Sequence, residues 1–245
     1  MDGRRAVKLK YGAALLLLGT LAMSGYATGA GPAPRWHGVS DVRQATETPA
    51  PAGSLSPVAT DADLRAALLG GADVPSGMSP VATASTHTGK VSVGGGSFPG
   101  CPALEPMTTD ETTSAAVSYA AGAVGPYLTH VIVRFPAGGA QDAMARLRST
   151  AASCKSFEQQ LAGITVKFTV AAVDLPAGLG DDAAGLRMTG TTDIGISVAA
   201  DIVAVRRHDY VVWLNDTAIG TSPAGLATKA APVAAARCGQ RLAGC

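Results

Sequence analysis

The chain lacks a stripe of basic residues and lacks close cysteine pairs, and each absence excludes a class of function. Its 245 residues include 19 Lys and Arg against 18 Asp and Glu, and beyond the N-terminus the only adjacent basic pair is Arg206-Arg207. A nucleic-acid-binding surface requires clustered Lys and Arg that neutralise phosphates. A metal site requires ligand pairs such as CxxC or a nearby histidine, and no cysteine here has such a partner in sequence. The sequence therefore excludes a nucleic-acid partner and predicts no metal site.

The sequence also lacks a complete catalytic or phosphate-binding motif. The nearest match to Gly-x-Ser-x-Gly is GTSPAG at residues 220–225, which is one residue too long and contains a proline. The triple glycine at 94–96 is followed by SFP rather than by Lys and Ser or Thr. Asp181-Asp182 lacks the further oxygen ligands of a calcium loop. We predict no catalytic residue and no cofactor, and a secreted hydrolase is the alternative.

The first 30 residues have the three parts of a secretory signal peptide. Four basic residues precede an apolar run of 11 residues, Ala13–Met23, and small residues follow, with cleavage expected after Ala27 or Ala30. A retained membrane anchor is the alternative, because the 24 residues after Lys10 are uncharged and a bilayer span takes about 20. The second half of that stretch is mostly Gly, Ala and Pro, which insert weakly. We therefore predict a signal peptide over residues 1–30.

No cysteine precedes Cys101, which excludes a thioether-linked lipid near the N-terminus. Residues 23–26, Met-Ser-Gly-Tyr, resemble a bacterial lipoprotein box in which tyrosine replaces the acceptor cysteine, and thioether lipidation requires a thiol. Without residues 1–30 the chain has 15 basic and 17 acidic residues, a net charge of −2. Residues 31–58 are rich in Pro, Ala and Gly without an apolar period, which predicts a flexible linker ahead of a domain at 59–245.

Hydrophobic periodicity in residues 59–245 predicts a single α+β domain, in which a mainly antiparallel sheet packs with a few helices. Residues 83–100 are expected to be a loop. The other predicted elements are a helix from Asp61 capped by Asp61 or Asp63, strands at Ser114–Ala121, Tyr127–Phe135, Ile164–Val173, Ala183–Thr192, Ile196–Val205 and Tyr210–Asn215, and helices from about Ala140 and over Ala224–Leu242. We expect a hairpin turn at 206–209 and an interruption of the last helix at Pro232.

The four cysteines all lie in the part of the chain that we expect to be exported: Cys101, Cys154, Cys238 and Cys245. An even count in an exported protein predicts two disulfides, and four cysteines allow three connectivities. We prefer Cys101–Cys154 with Cys238–Cys245. A straight helix over the second pair would separate its Cα atoms by about 10 Å, whereas a disulfide tolerates less than about 7 Å. The helix must therefore end near one of the glycines between these two cysteines.

Two residues of the predicted strand Tyr127–Phe135 are candidates for a ligand-binding site. Arg134 could hold an anionic group, because a fixed guanidinium suits carboxylates and phosphates. His130 alternates with Ile132 along the strand, so we expect a histidine that is partly buried or at a sheet edge rather than a catalytic base. Both residues are therefore proposed as ligand contacts only.

Four short segments share a pattern with known extracytoplasmic domains. They are LL at 68–69 followed by DVPSGM at 73–78, CPAL at 101–104, AASC at 151–154, and LGDD at 179–182 followed by LR at 186–187. Together they resemble the actinobacterial extracytoplasmic sensor-domain family, the PknH-like extracellular domain of receptor serine/threonine kinases. The resemblance covers roughly residues 60–245, although Asp182-Ala183 replaces the family's Glu-Ser and the sequence contains no kinase domain. It implies an α+β fold with a cleft for an unidentified ligand, no known catalysis and no binding residues to transfer.

The sequence as a whole favours a secreted, disulfide-bonded, non-catalytic sensor-like domain. Its expected partner is an unidentified small molecule or a component of the cell envelope, and contact with a membrane is expected only if the N-terminal segment is retained. A secreted hydrolase and a structural protein of the cell envelope are the two alternatives.

Overall fold

The computed structural model describes residues 59–81, 83–93, 101, 104, 107–123, 125–161, 164–220 and 225–245. The predicted signal peptide with Ala27 and Ala30, the predicted linker, the glycine run at 94–96 and residues 221–224 lie outside the described residues. The helices are α1 (Asp61–Ala67), α2 (Gly139–Ser153) and α3 (Leu226–Arg241). The strands are β1 (Ser79–Pro80), β2 (Ser85–Val93), β3 (Met107–Ala120), β4 (Tyr127–Arg134), β5 (Ser156–Leu161), β6 (Ile164–Ala172), β7 (Asp182–Thr192), β8 (Ser197–Arg207) and β9 (Tyr210–Ile219).

The nine strands of the described residues belong to one sheet, and every pairing among them is antiparallel. The strand order is β1-β3-β4-β9-β8-β7-β6-β5, and β2 pairs with the same edge of β3 as β1 does. Strand β9 therefore returns from the hairpin with β8 to lie beside β4, at the centre of the sheet. The predicted α+β fold with a mainly antiparallel sheet is confirmed.

Helices cover both faces of the sheet, which explains why the central strands are almost continuously apolar. Helices α1 and α3 pack on one face, here called the α1–α3 face, and α2 packs on the other, the α2 face. In β8 the side chains of Val203 and Val205 enter the first core, and those of Ala200 and Ala204 enter the second. A strand buried on both faces does not alternate between apolar and polar residues.

Local sequence accounts for the ends of the helices. Helix α1 starts at a capping box in which the Thr60 side chain accepts from the Asp63 amide and the Asp63 carboxylate accepts from the Thr60 amide. The cap is thus Thr60 rather than Asp61 or Asp63, because Asp63 occupies the third helical position. Helix α3 runs through Pro232 without the expected interruption, and Pro232 lies on its exposed side.

The four cysteines form two pairs at disulfide distance in the preferred connectivity. The Cα atoms are 5.4 Å apart in Cys101–Cys154 and 5.5 Å apart in Cys238–Cys245. The second pair is possible because α3 ends at Arg241 and the chain turns back through Gly244, which has a positive φ of 80°. The first pair joins the segment before β3 to the end of α2.

Two strands differ from the sequence-based expectation. Residues 85–93, expected as part of a loop, form β2, which pairs with β3 and shifts register at Gly89. The glycines at 94–96 led to the prediction of a loop for the whole stretch. Strand β2 is rich in Ser and Thr and depends on β3 for its hydrogen bonds. Strand β5 was also missed, since its stability comes from pairing with β6 and from Phe157, which stacks on Phe168 with ring centroids 5.0 Å apart.

Candidate functional site

His130 is not at a sheet edge, and the expectation of a partly exposed histidine is wrong. It lies in the middle of the sheet, between Val117 of β3 and Leu214 of β9, with no exposed surface. Its Nδ1 accepts a hydrogen bond of 3.0 Å from the Leu69 amide. Burial, aided by the positive charge of Arg237, lowers the His130 pKa to about 3. The imidazole is therefore neutral and holds the backbone of another segment, and it presents no surface to a ligand.

Arg134 lies apart from His130 and is accessible. Its guanidinium carbon is 5.9 Å from the centroid of the Tyr210 ring, a cation–π arrangement, and the side chain is half-buried. Arg134 is four residues after His130 in the same strand, so their Cα atoms are about 13 Å apart. The structure therefore does not bring the two predicted residues into one site.

A row of three charged residues crosses β7, β8 and β9 on the α1–α3 face. In the strand register Arg187 is opposite Asp201, and Asp201 is opposite Asp216. The two carboxylates are almost fully buried, at 0% and 1% exposure, while the Arg187 side chain is 42% exposed. Arg187 Nε donates to Asp201 Oδ1 at 2.7 Å, and Nη2 donates to Oδ2. This bidentate bond raises the Arg187 pKa and fixes the guanidinium through its Nε and Nη2 atoms.

Asp216 links this charged row to the start of α3. Its Oδ2 accepts from the Ala227 amide at 2.7 Å, whereas Oδ1 is buried without a partner among the described residues. Burial raises the Asp216 pKa to about 6, and the charge of Asp201 adds to the effect, while the bond from Ala227 opposes it. A side-chain carbon placed on Gly225 would lie 3.9 Å from Arg187 Nη2, so the N-terminus of α3 borders the guanidinium.

Arg187 stands at the border of an exposed polar sheet face. Helices α1 and α3 pack on β2, β3, β4, β8 and β9, and the same face of β5, of β6 and of the second half of β7 is exposed. Here Thr169 and Thr189 lie opposite each other with their hydroxyl oxygens 2.9 Å apart. The exposed side chains of this surface, called the open face below, are Ser156, Glu158, Gln160, Lys167, Thr169, Thr189 and Thr191. The open face offers hydroxyl groups and a fixed guanidinium to a partner.

Sequence reasoning missed Asp201 and Asp216 as site residues, and Arg187 entered it only as part of a family motif. A usable signal existed for Asp201, which interrupts an otherwise apolar strand, because Asp is rarely buried unless it is paired. Asp216 lies between Asn215 and Thr217, so the pattern of its strand does not single it out. Their common position, however, depends on the exact register of β8 and β9. The pairing of Arg187 with Asp201 depends further on β7 lying beside β8.

The acidic loop of the family motif, residues 179–182, has a structural role. A side-chain carbon on Gly180 would lie 2.5 Å from the Arg206 carbonyl oxygen, so only glycine allows this close approach to β8. Asp181 Oδ2 accepts from the His208 amide at 2.6 Å, a bond that lowers the Asp181 pKa. Asp182 forms an ion pair with Arg148 of α2. The acidic loop is thus held by internal contacts, and its residues help to position the loop on the sheet.

The described residues hold no group of three or more His, Cys, Asp or Glu side chains that could bind a metal ion. Among the helices of this part of the chain, none is long and apolar enough to span a bilayer.

Comparison with known proteins gives a likeness of fold. No protein-family model and no curated protein sequence matches the chain. Among solved structures, the extracellular domain of PknH from Mycobacterium tuberculosis is similar with a TM-score of 0.51 and 16% identity, over 77% of this chain and 100% of that chain. Identity this low shows the fold alone, so membership of the actinobacterial family stays a prediction. The chain has the fold of the PknH extracellular domain.

Proposed function

We propose that this chain is a non-catalytic domain that works outside the cytoplasm and binds a component of the cell envelope. The observation that carries this proposal is the likeness of fold to an extracellular domain over that domain's full length. The two cysteine pairs at disulfide distance agree with an oxidising compartment. The predicted signal peptide at 1–30 would provide export, and its cleavage would release the domain.

The open face, with Arg187 at its border, is the proposed contact surface. The Arg187 Nε and Nη2 atoms bind Asp201, which leaves Nη1 for a carboxylate or phosphate. Threonine hydroxyls beside it can donate to and accept from the hydroxyl groups of a sugar. One exposed ionic contact contributes only about 1 kcal/mol or less. A polymer that repeats the contact gains avidity, so we propose an anionic polysaccharide as the ligand class.

Arg134 is the second candidate contact, as the sequence predicts. It makes no ion pair among the described residues, and the Tyr210 ring holds its guanidinium. The two arginines lie in different rows of the sheet, because Arg187 is in the row of Leu128 and Arg134 is six residues farther along β4. At about 3.3 Å per residue and 4.8 Å per strand they are roughly 24 Å apart, so separate variants can distinguish them.

Affinity for a defined polymer tests the proposal. Polygalacturonate serves as the anionic probe and dextran as the uncharged probe, both titrated by calorimetry at low and at high salt. Thr189→Glu introduces a negative charge about 7 Å from Arg187 on an exposed position, which by Coulomb's law in water weakens binding about threefold at low salt. Ser149→Glu, on the exposed side of α2, is the matched control and should bind as the wild type does.

The outcomes separate the candidates. Salt-sensitive binding of polygalacturonate that Thr189→Glu weakens and Ser149→Glu does not would support the open face. Weakening by Arg134→Ala alone would move the contact to Arg134. If neither probe binds the wild type, this ligand class is wrong. Turnover of an ester, peptide or glycoside substrate that depends on one Ser or His would favour the secreted hydrolase, and tight wall association without saturable binding would favour a structural protein.

A further inference from the structure

The loop between α1 and β1 is held to the sheet by two buried side chains that bind the same residue. This loop, Leu68–Met78, is called the latch loop below. Its Leu69 amide donates to His130 Nδ1 at 3.0 Å, and its Leu69 carbonyl accepts from the Tyr119 hydroxyl at 2.7 Å. His130 and Tyr119 are 0% and 4% exposed. One residue of the loop therefore depends for both of its backbone hydrogen bonds on side chains from the sheet.

The rest of the latch loop is fixed by a charged pair with α3. Asp73 Oδ2 accepts from the Gly70 amide at 2.7 Å and from Arg237 Nη1 at 2.9 Å. Arg237 Nη2 also donates to the Ala66 carbonyl at 3.1 Å. The loop closes over the α1–α3 core with three apolar side chains that are at most 8% exposed: Leu68, Leu69 and Val74. Opening the loop would expose these three side chains together.

The closed loop requires an unprotonated Nδ1 on His130, because a protonated nitrogen cannot accept the bond from the Leu69 amide. Nε2 then carries the proton, and it is buried without a partner among the described residues. The charged or titratable groups around the imidazole are Asp73 from the latch loop, Arg237 from α3 and Tyr119 from β3. Asp216 of β9 lies diagonally across from His130 on the same face, because it is opposite Leu128 in the strand register. Helix α1 contributes apolar Leu64 and Ala67 to this core, and its charged residues are exposed. The cationic imidazole is thus excluded by geometry, by burial and by Arg237.

We propose that the latch loop is an acid-sensitive latch, closed by the neutral imidazole of His130 on the Leu69 amide and opened when that imidazole takes up a proton. A fall in pH would then open the loop and expose its apolar side chains beside α1. The coupling follows from linkage, because His130 in the open loop titrates as an ordinary histidine.

The expected size of the effect depends mainly on the open state. With an ordinary histidine pKa of about 6.5 in the open loop and a closed-state pKa of about 3, opening is favoured about 30-fold more at pH 5 than at pH 7.5. The sign is that of a group whose folded pKa is depressed, since closure is complete above the ordinary pKa and weakens as the pH falls below it. The raised pKa of Asp216 makes the whole fold more stable as the pH falls, which is the opposite of the His130 effect. The experiment must therefore measure the opening of the latch loop itself rather than global unfolding.

Hydrogen exchange of the Leu69 amide in the full-length protein, corrected for the intrinsic rate at each pH, measures this opening. Between pH 7.5 and pH 5 we expect its opening constant to rise about 30-fold in the wild type. His130→Asn keeps an acceptor oxygen near Nδ1 that does not titrate, and its rise should be less than about threefold. Tyr119→Phe is the matched control, because it loosens the loop at both pH values and should keep the full rise with acid.

Two hydrogen-exchange results would overturn the latch. One is a His130→Asn variant whose opening constant rises with acid as the wild type does. The other is a wild type in which the Val203 and Leu214 amides of the central strands open in proportion to Leu69, which would mean global unfolding. Nuclear magnetic resonance of the wild-type ring supplies an independent check. His130 should remain neutral in the native protein from pH 7.5 to pH 5, and titration near 6.5 with a protected Leu69 amide would refute the proposal.

Discussion

Replacing Asp216 by asparagine should reduce the loss of folding stability that the protein undergoes as the pH rises from 4 to 7.5. The folded pKa of Asp216 is about 6, and the unfolded value is about 3.9. A raised folded pKa means that the group stabilises the fold while it is protonated, and that this stabilisation is lost as the pH rises through 6. At about 1.4 kcal/mol per pKa unit, ionised Asp216 costs about 3 kcal/mol at pH 7.5 relative to the neutral carboxyl.

Asparagine keeps an acceptor oxygen for the Ala227 amide and removes the charge opposite Asp201. Its amide group can lack a buried partner, as Oδ1 of Asp216 does now, but that penalty of about 1–3 kcal/mol does not change with pH. The prediction therefore concerns the difference between variant and wild type across pH. From pH 4 to pH 7.5 the free energy of unfolding of Asp216→Asn should gain about 2 kcal/mol on the wild type.

Urea unfolding at pH 4, 5, 6 and 7.5, followed by the fluorescence of half-buried Trp213 in β9, measures this difference. His130 is present in both proteins, so its own pH dependence cancels if the two sites are independent. Asp193→Asn, in an exposed turn, is the control and should change the free energy of unfolding by less than about 0.5 kcal/mol. A difference for Asp216→Asn that stays constant with pH, or that shrinks as the pH rises, would show that ionised Asp216 does not destabilise the fold.

Three further changes test the fold by urea unfolding. Serine at both members of the Cys101–Cys154 pair, which are 53 residues apart, should lower the free energy of unfolding by up to about 4 kcal/mol, and an effect below about 1 kcal/mol would argue against a stable bond in solution. Gly180→Ala should lower the free energy of unfolding by about 1–3 kcal/mol, because its methyl group would lie 2.5 Å from a β8 carbonyl oxygen. Gly71→Ala is the control and should be nearly neutral, because its methyl group would meet nothing within 4 Å. Equal effects of the two substitutions would contradict the close approach at Gly180. Thr60→Ala should cost about 1 kcal/mol by removing the cap of α1, and no loss would show that the cap is dispensable.

The elements that the sequence predicts best are those whose periodicity is local. The strand at Tyr127–Phe135 and the helix from Ala140 were predicted within a residue, because each has a clear apolar pattern. Strand β2 has no such pattern and depends on β3, a partner that local reasoning cannot supply. Helix α3 continues through Pro232 because this proline lies on the exposed side, while seven buried residues hold the opposite side of the helix against the sheet.

The charged row could not be predicted because it depends on exact register. The sequence suggests a turn over residues 206–209, whereas the strands continue to Arg207 and resume at Tyr210, with only two residues between them. A four-residue turn would place Asp201 opposite Leu214, and the two-residue turn places it opposite Asp216. For the same reason His130 was predicted to lie on a strand, while its burial follows from the latch loop above it and from the strands on both sides.

Intact mass of the protein recovered from medium, membrane and cytoplasm, with and without reduction, tests the central claim of an exported and disulfide-bonded domain. We expect medium-borne protein that begins after Ala27 or Ala30 and gains four hydrogens on reduction, two for each cysteine pair. Protein confined to the cytoplasm, with four thiols that react before reduction, would contradict it.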